Sequence, residues 1–325
     1  MMVITLAKPL NLFLAEYSYL KSTFSGNVSV YGMPVSLGVE LTNHCNLQCA
    51  ECASGSGVLT RKRGFMEIGL FDKLIAELRP YLYNINLYFQ GESMLHPEFF
   101  TFLGKSVKTH TTVSTNGHYL SLENSKELVK SGLNKLTVSV DGMNQITYES
   151  YRKNGSLETV MTGIRNIADA KRKYRSPLHI EIQFLVNRVN ESQIPDIRHF
   201  AKEVKATLKL KSMQIINQED MPRWLPSRSK FRRYEKRYEE YEIKSSLPDK
   251  CMRLWFNPVV TWDGKVVPCC FDKDADHIMG DVTRDSFRDI WDGPEFRTFR
   301  KSILSGRHMV KICRNCTSGL KGARI

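Results

Sequence analysis

The sequence predicts an α/β protein: a parallel sheet of six βα units, able to curl into a partial (β/α)6 barrel, followed by a small C-terminal domain of hairpin and helix. Three observations predict it. Between residues 35 and 217, short β-branched or apolar runs alternate with longer stretches whose apolar residues recur at spacings of three and four. At 325 residues the chain exceeds the size at which one hydrophobic core keeps growing, so a large domain with a smaller companion is expected. The eight cysteines form a trio at 45, 49 and 52 and a group at 251, 269, 270, 313 and 316, with none between.

Residues 1–34 precede the first strand as an N-terminal extension. MMVITLAKPLNLFLAEYSYL has apolar weight, but Lys8 and Pro9 interrupt it and no small-residue cleavage site follows, which argues against a secretory signal. A moderately amphipathic helix packed on the protein is expected instead. No apolar run approaches the roughly 20 residues of a membrane-spanning helix.

The candidate strands within 35–217 are VSLGVELTN (35–43), NINLYFQG (84–91), HTTVSTNG (110–117), KLTVSVDG (135–142), LHIEIQFLVNR (178–188) and LKLKSMQIIN (208–217). Helical patterns such as IGLFDKLIAELRPYL, LETVMTGIRNIADAKRKY and SQIPDIRHFAKEVKA lie between them. Residues 85–91, INLYFQG, look like a protease-cleavable linker. Their place in the alternation makes them a buried second strand instead. Right-handed crossovers would gather the polar or Gly-containing strand ends at one sheet edge, where such folds place their chemistry.

Residues 218–250 read as a basic linker carrying a helix. With 42% hydrophobic and 25% charged residues the chain reads as globular. The net charge of +13 is concentrated in runs such as KRKYR (171–175) and RSKFRRYEKRYEEYEIK (228–244). Acidic residues interleave the second run, as on a solvated helix laced with charge pairs. Residues 251–325 change character: Asp263-Gly264 sits as a turn between apolar runs, and a helical segment follows around a Gly-Pro break.

Clustered cysteines without a secretory signal favour metal or cofactor ligation over disulfides. In LTNHCNLQCAEC the three thiolates can hold three irons of a [4Fe-4S] cube, leaving the fourth iron open to substrate. With His44 as a fourth ligand the trio would instead form a Cys3His zinc site, and a zinc ribbon is open to the C-terminal cysteines. A zinc-stapled basic nucleic-acid-binding protein is therefore the alternative of another class.

Cys45, Cys49 and Cys52 after the first strand, Gly91-Glu92 after the second, Ser114-Thr115-Asn116-Gly117 after the third and Ser139-Val140-Asp141-Gly142 after the fourth together resemble the radical S-adenosylmethionine (radical SAM) superfamily. The resemblance implies that Cys45, Cys49 and Cys52 ligate a [4Fe-4S] cluster and that S-adenosylmethionine binds it. Reductive cleavage then yields a 5′-deoxyadenosyl radical that abstracts hydrogen from substrate. Gly91, Glu92, Ser114, Asn116, Ser139 and Asp141 match cofactor-binding motifs, with Glu92 suited to an ammonium group. Arg152 is a candidate partner for a carboxylate of cofactor or substrate, against the plainer expectation of a helix-surface arginine. Ser93 and Glu51 depart from the family, which has proline and often an aromatic residue there.

The C-terminal region resembles the SPASM/twitch auxiliary-cluster domain. The resemblance implies one auxiliary [4Fe-4S] cluster on Cys251, Cys269, Cys313 and Cys316. Cys270 is left as a packed spare, a substitute ligand or a catalytic hydrogen donor. It also implies an oxidoreductase in a reducing cytoplasm, served by an external low-potential electron donor of flavodoxin or ferredoxin type.

The expected reaction is oxidation or dehydrogenation, or another modification, of a sugar-like, glycan or small-molecule substrate. Modification of a ribosomal peptide by crosslinking or epimerisation is the alternative, ranked lower because about 34 residues before the barrel leave no room for a leader-binding domain. Gln183, Asn187 and Gln214 on the last strands are candidate substrate-facing residues, against the plainer expectation of satisfied polar side chains in a barrel interior.

Overall fold

A computed structural model of the chain describes residues 3–316. The helix α1 (Val3–Ser25) leads into β1 (Ser36–Val39), α2 (Ile68–Leu78), β2 (Asn84–Asn86), α3 (Phe99–Ser106), β3 (His110–Thr115), α4 (Leu122–Lys130) and β4 (Lys135–Ser139). There follow α5 (Gln145–Tyr151), α6 (Leu157–Lys173), β5 (His179–Val186), α7 (Ile194–Glu203), β6 (Thr207–Ser212) and a short α8 (Met221–Trp224). The remainder holds β7 (Tyr234–Arg237), β8 (Glu240–Ile243), α9 (Arg253–Phe256), β9 (Val259–Val260), β10 (Lys265–Val267), β11 (Gly280–Asp281), α10 (Phe287–Trp291) and α11 (Pro294–Gly306). None of the described helices is long and apolar enough to cross a membrane.

The α/β class and the parallel pairing of the predicted strands are present. The chain divides into two compact units. Among the described residues the first takes 3–44, 59–111 and 247–316, and the second is built on Cys45–Val58 and Thr112–Ser246.

In the first unit the strand order is β11-β10-β9-β1-β2. β1 lies parallel to both β2 and β9, while β9, β10 and β11 pair antiparallel. The predicted hairpin therefore forms, with Gly264 at φ +85° in its turn, but it extends the β1 sheet instead of standing apart. The cause is legible in Val259-Val260: both are buried, as in a strand covered on both faces.

In the second unit β3-β4-β5-β6 run parallel, in register from Thr112↔Lys135 to Val186↔Ser212. The helices have the predicted amphipathic spacing, with Leu157, Val160, Ile164 and Ile167 forming the buried face of α6. Ser121, Asn144 and Ser156 start α4, α5 and α6 by accepting hydrogen bonds from the backbone N–H groups of Asn124, Thr147 and Thr159.

The strands end several residues before the sequence places their ends. Only Asn84–Asn86 of NINLYFQG is strand, and Leu87–Gln90 has left the ladder with Tyr88 38% exposed. The strand-end motifs turn into loops because Gly91 and Gly117 adopt positive φ, +76° and +88°.

Within the basic run 228–244, residues 234–243 form a β-hairpin where a charged helix was expected. Its period is two, with Tyr234 buried and Tyr241 and Ile243 half-buried between exposed acids, and Tyr238 at φ +51° makes the turn. Arg237 offsets the facing Glu235 and Glu242 by bonding to both.

Candidate functional site

The three-cysteine loop belongs to the second unit and is anchored by its backbone. Gln48 N donates to Lys153 O at 3.1 Å and Ala50 N to Tyr151 O at 3.2 Å, tying the loop to the end of α5. Leu47 and Cys49 pack with Tyr151, Met213, Met221 and Trp224, and Cys45 and Cys52 lie against the same cluster.

All three thiols are free of disulfides. Burial pushes the Cys49 thiol up to about 12; Arg152 opposes this, and Cys52 and Cys45 add to it. Asn116 Nδ2 lies 3.9 Å from Cys45 Sγ and donates to Asn46 Oδ1 at 2.8 Å. Among the described residues, no three His, Cys, Asp or Glu side chains are grouped to hold a single metal ion. The donor set itself, soft thiols beside a fixed cation, suits an iron-sulfur cluster.

Arg152 is not a surface residue. Its Nη2 sits 2.6 Å from the buried Asp141 carboxylate and its Nε bonds the same oxygen at 2.7 Å. Burial works against the guanidinium, but Asp141 and then Cys49 outweigh it and hold its pKa well above the ordinary value. The other Asp141 oxygen accepts from Leu185 N at 2.7 Å, so this carboxylate is fully engaged by the protein.

Ser139 closes β4, buried, in register with half-buried Gln183. Ser114 is half-buried on β3, opposite Thr137. Gln214 follows β6, half-buried. Asn187 is buried, and its Oδ1 accepts from Val189 N and Asn190 N, closing the turn after β5, as the plainer expectation had it.

Glu51, read from sequence only as a departure, has a definite role. It is buried, and its Oε2 accepts from Ile216 N at 2.6 Å, fastening the cysteine loop to the segment after β6. An acid between two cysteines was the available signal; its distant backbone partner was not.

In the first unit, Gly91 and Glu92 close against the segment that ends in His44. Glu92 N donates to His44 O at 2.8 Å. A Cβ on Gly91 would stand 2.6 Å from the carbonyl oxygens of both His44 and Thr42, so backbone packing as well as φ demands glycine. Glu92 is buried and its Oε1 accepts from Met94 N at 3.2 Å. Ser93 Oγ donates to Leu87 O at 2.6 Å, and extended Glu92 before it (φ −118°, ψ 107°) would accept a following proline. The His44 ring stacks on Phe65 at 4.8 Å.

The C-terminal cysteines form a second sulfur centre in the same unit. Arg253 Nη1 donates to Cys270 Sγ at 3.4 Å, and the groups that hold this arginine charged are Cys270 first, then Cys316, Cys269 and Cys251. Arg307 Nη2 lies 3.5 Å from Cys316 Sγ; burial opposes its charge, while Cys251, Cys316 and Cys313 raise its pKa. Burial pushes Cys313 up to about 11 against the pull of Arg307. All five sulfurs thus share one neighbourhood with two arginines, including the Cys270 that sequence left over.

Two family models match this chain: the radical SAM superfamily over residues 39–201, and an iron-sulfur cluster-binding domain, SPASM, over residues 251–317. The chain belongs to the radical SAM superfamily. Its radical SAM domain carries a [4Fe-4S] cluster and S-adenosylmethionine, and the SPASM domain adds auxiliary iron-sulfur chemistry.

Among relatives, the chain is 29% identical over 182 residues to a probable GTP 3′,8-cyclase of Methanocaldococcus jannaschii, covering 54% of this chain and 57% of that one. It is 25% identical over 313 residues to the PqqA peptide cyclase of Gluconobacter oxydans, covering 87% and 82%. The alignment spans about half the length of the first curated relatives it matches. Among solved structures, BtrN in complex with AdoMet and 2-DOIA superposes with TM-score 0.54 at 18% identity, over 90% of this chain and 98% of that one. SuiB of Streptococcus suis bound to S-adenosylmethionine gives 0.63 at 12%, over 94% and 77%; both likenesses concern the fold.

Proposed function

We propose that this radical SAM enzyme modifies a peptide by hydrogen abstraction, with Cys45, Cys49 and Cys52 ligating the S-adenosylmethionine-binding cluster. The observation that carries the substrate class is the alignment to the PqqA peptide cyclase, which runs through both cysteine-bearing regions. When bound, the cluster and S-adenosylmethionine supply a reductively generated organic radical.

The chain's own residues prepare for that chemistry. The trio lies on one loop whose backbone is fixed at Tyr151 and Lys153. The Asp141–Arg152 pair holds a permanent cation beside Cys49, which stabilises thiolate and a negatively charged cluster. Gly91 and Glu92 in the first unit, and Ser114, Asn116 and Ser139 in the second, are each assigned to the cofactor, and Asp141 serves as a positioning residue for Arg152. Cys251, Cys269, Cys313 and Cys316 hold one auxiliary [4Fe-4S] cluster, with Cys270 beside it. An external low-potential donor of flavodoxin or ferredoxin type supplies the electron, and the reducing cytoplasm is the compartment that such clusters require.

Dehydrogenation of a sugar-like or small-molecule substrate is the second reading, favoured by the second sulfur centre, since an auxiliary cluster can accept the second electron. Reduced, reconstituted protein given S-adenosylmethionine and deuterated candidates separates the two. Deuterium appearing in 5′-deoxyadenosine from peptides and not from polyols supports the first reading, and the reverse pattern replaces it with the second. Failure to release any 5′-deoxyadenosine would reject both.

A further inference from the structure

The N-terminal helix α1 is inverted relative to an ordinary surface helix. Its face toward the protein holds Asn11, Ala15, Ser18 and Ser22, all buried and small or polar. Their polar groups are satisfied locally: Asn11 exchanges two hydrogen bonds with Met33, while Ser18 and Ser22 bond back along the helix and accept from Tyr31 N and Ser29 N. The outward face holds Leu10, Phe13, Tyr17, Leu20 and Phe24, exposed by 58, 62, 45, 49 and 86%.

The spacing of these five is three, four, three, four. At 100° per residue they fall within an arc of about 80°, the narrow seam of a helix pair and not a broad apolar face. Written as heptads with Leu10, Tyr17 and Phe24 at position a and Phe13 and Leu20 at d, the buried residues are at b and f, away from the seam. The same register places Glu16 at g and Lys21 at e, five residues apart, and both are exposed.

In a parallel pair of identical helices, g of one copy faces the e five residues on in the other. Glu16 then meets Lys21 of the second copy twice by symmetry, whereas an antiparallel pair sets like charges together. Lys21 already bonds the Tyr31 hydroxyl at 2.7 Å and lies over the Tyr31 and Tyr17 rings, and its ammonium retains further donors. Covering the seam would bury on the order of 600 Å² per copy, and the two copies together reach the lower limit of a specific interface.

We infer that α1 is a self-association element: its outward seam packs in parallel against the same seam of a second copy, and Glu16–Lys21 pairs fix the orientation. A membrane-surface helix differs in two respects, having a broad apolar face and cations on the opposite side. Here the opposite side is seated in the protein, and its cation, Lys8, is half-buried over the Tyr83 ring instead of facing solvent.

Sedimentation velocity of the full chain over about two decades around micromolar concentration tests this. The expected result is a dimer that Phe13→Glu with Leu20→Glu abolishes. Glu16→Lys should raise the dimer dissociation constant about tenfold or more, and adding Lys21→Glu to it should restore the original value. Unchanged far-ultraviolet circular dichroism checks that each variant is folded. A native chain that stays monomeric, a dimer indifferent to the Phe13 and Leu20 changes, or a charge swap without rescue would each overturn the proposal. So would a monomer that floats with phosphatidylglycerol vesicles, which assigns the face to a membrane.

Discussion

The two sulfur centres differ in how their buried cations are neutralised. Beside the Cys45–Cys52 loop, Arg152 has a carboxylate partner of its own, Asp141, and would remain paired with no cluster present. In the C-terminal centre, the negative groups that hold Arg253 charged are cysteines, and Arg307 likewise draws on Cys251, Cys316 and Cys313. An arginine keeps its proton in a protein, so a buried one needs anions, carbonyl oxygens or ring faces around it, as Arg300 has in Leu254, Trp291 and Phe296. On the proposed ligation the first centre is neutralised before its cofactor arrives, whereas the second would take its negative charge from the cluster. Three thiol ligands would leave one iron of a [4Fe-4S] cluster open, and four would close its shell.

Breaking either centre tests this division, beginning with the largest effect. Cys49→Ala should abolish 5′-deoxyadenosine release and lower iron from about eight to about four per chain, measured by iron assay and chromatography of the nucleoside. Cys313→Ala should lower iron similarly while S-adenosylmethionine cleavage continues, with loss confined to substrate turnover; equal loss of both activities would erase the distinction between the centres. Arg152→Met strands Asp141 as a buried charge and should cost about 3–5 kcal/mol in denaturant unfolding. Arg253→Met should leave stability nearly unchanged and shift the auxiliary-cluster potential negative, since a cation beside the sulfurs is lost. The smallest effect belongs to Ser93→Pro: the Ser93–Leu87 hydrogen bond is worth about 1 kcal/mol, and the loop already has a backbone shape that proline accepts.

Much of this was legible because the chemistry is local in sequence. The cysteine trio, the strand ends and the Asp263-Gly264 turn are short motifs whose meaning depends on neighbours within a few residues. What was not legible depended on distant partners. Arg152 was a candidate partner for a carboxylate of cofactor or substrate, and the carboxylate it meets, Asp141, belongs to the protein itself. Asn187 resembled a substrate ligand because its work is done for backbone groups at 189 and 190. The run 228–244 was assigned to a helix on its charges, although its tyrosines and isoleucine alternate with period two. Strand lengths were overestimated because β-branched residues continue past the point where glycine φ values redirect the chain. α1 was expected to be moderately amphipathic and packed on the protein; it is packed there, but by its small and polar side.

On the proposed ligation the cluster on Cys45, Cys49 and Cys52 has an open iron for S-adenosylmethionine, while the C-terminal cluster is closed. Electron paramagnetic resonance of the reduced Cys313→Ala protein, which isolates the first cluster, tests it directly. The predicted result is a changed signal on adding S-adenosylmethionine, with no change in reduced Cys49→Ala protein. A signal indifferent to S-adenosylmethionine in the first variant, or responsive in the second, would contradict the account.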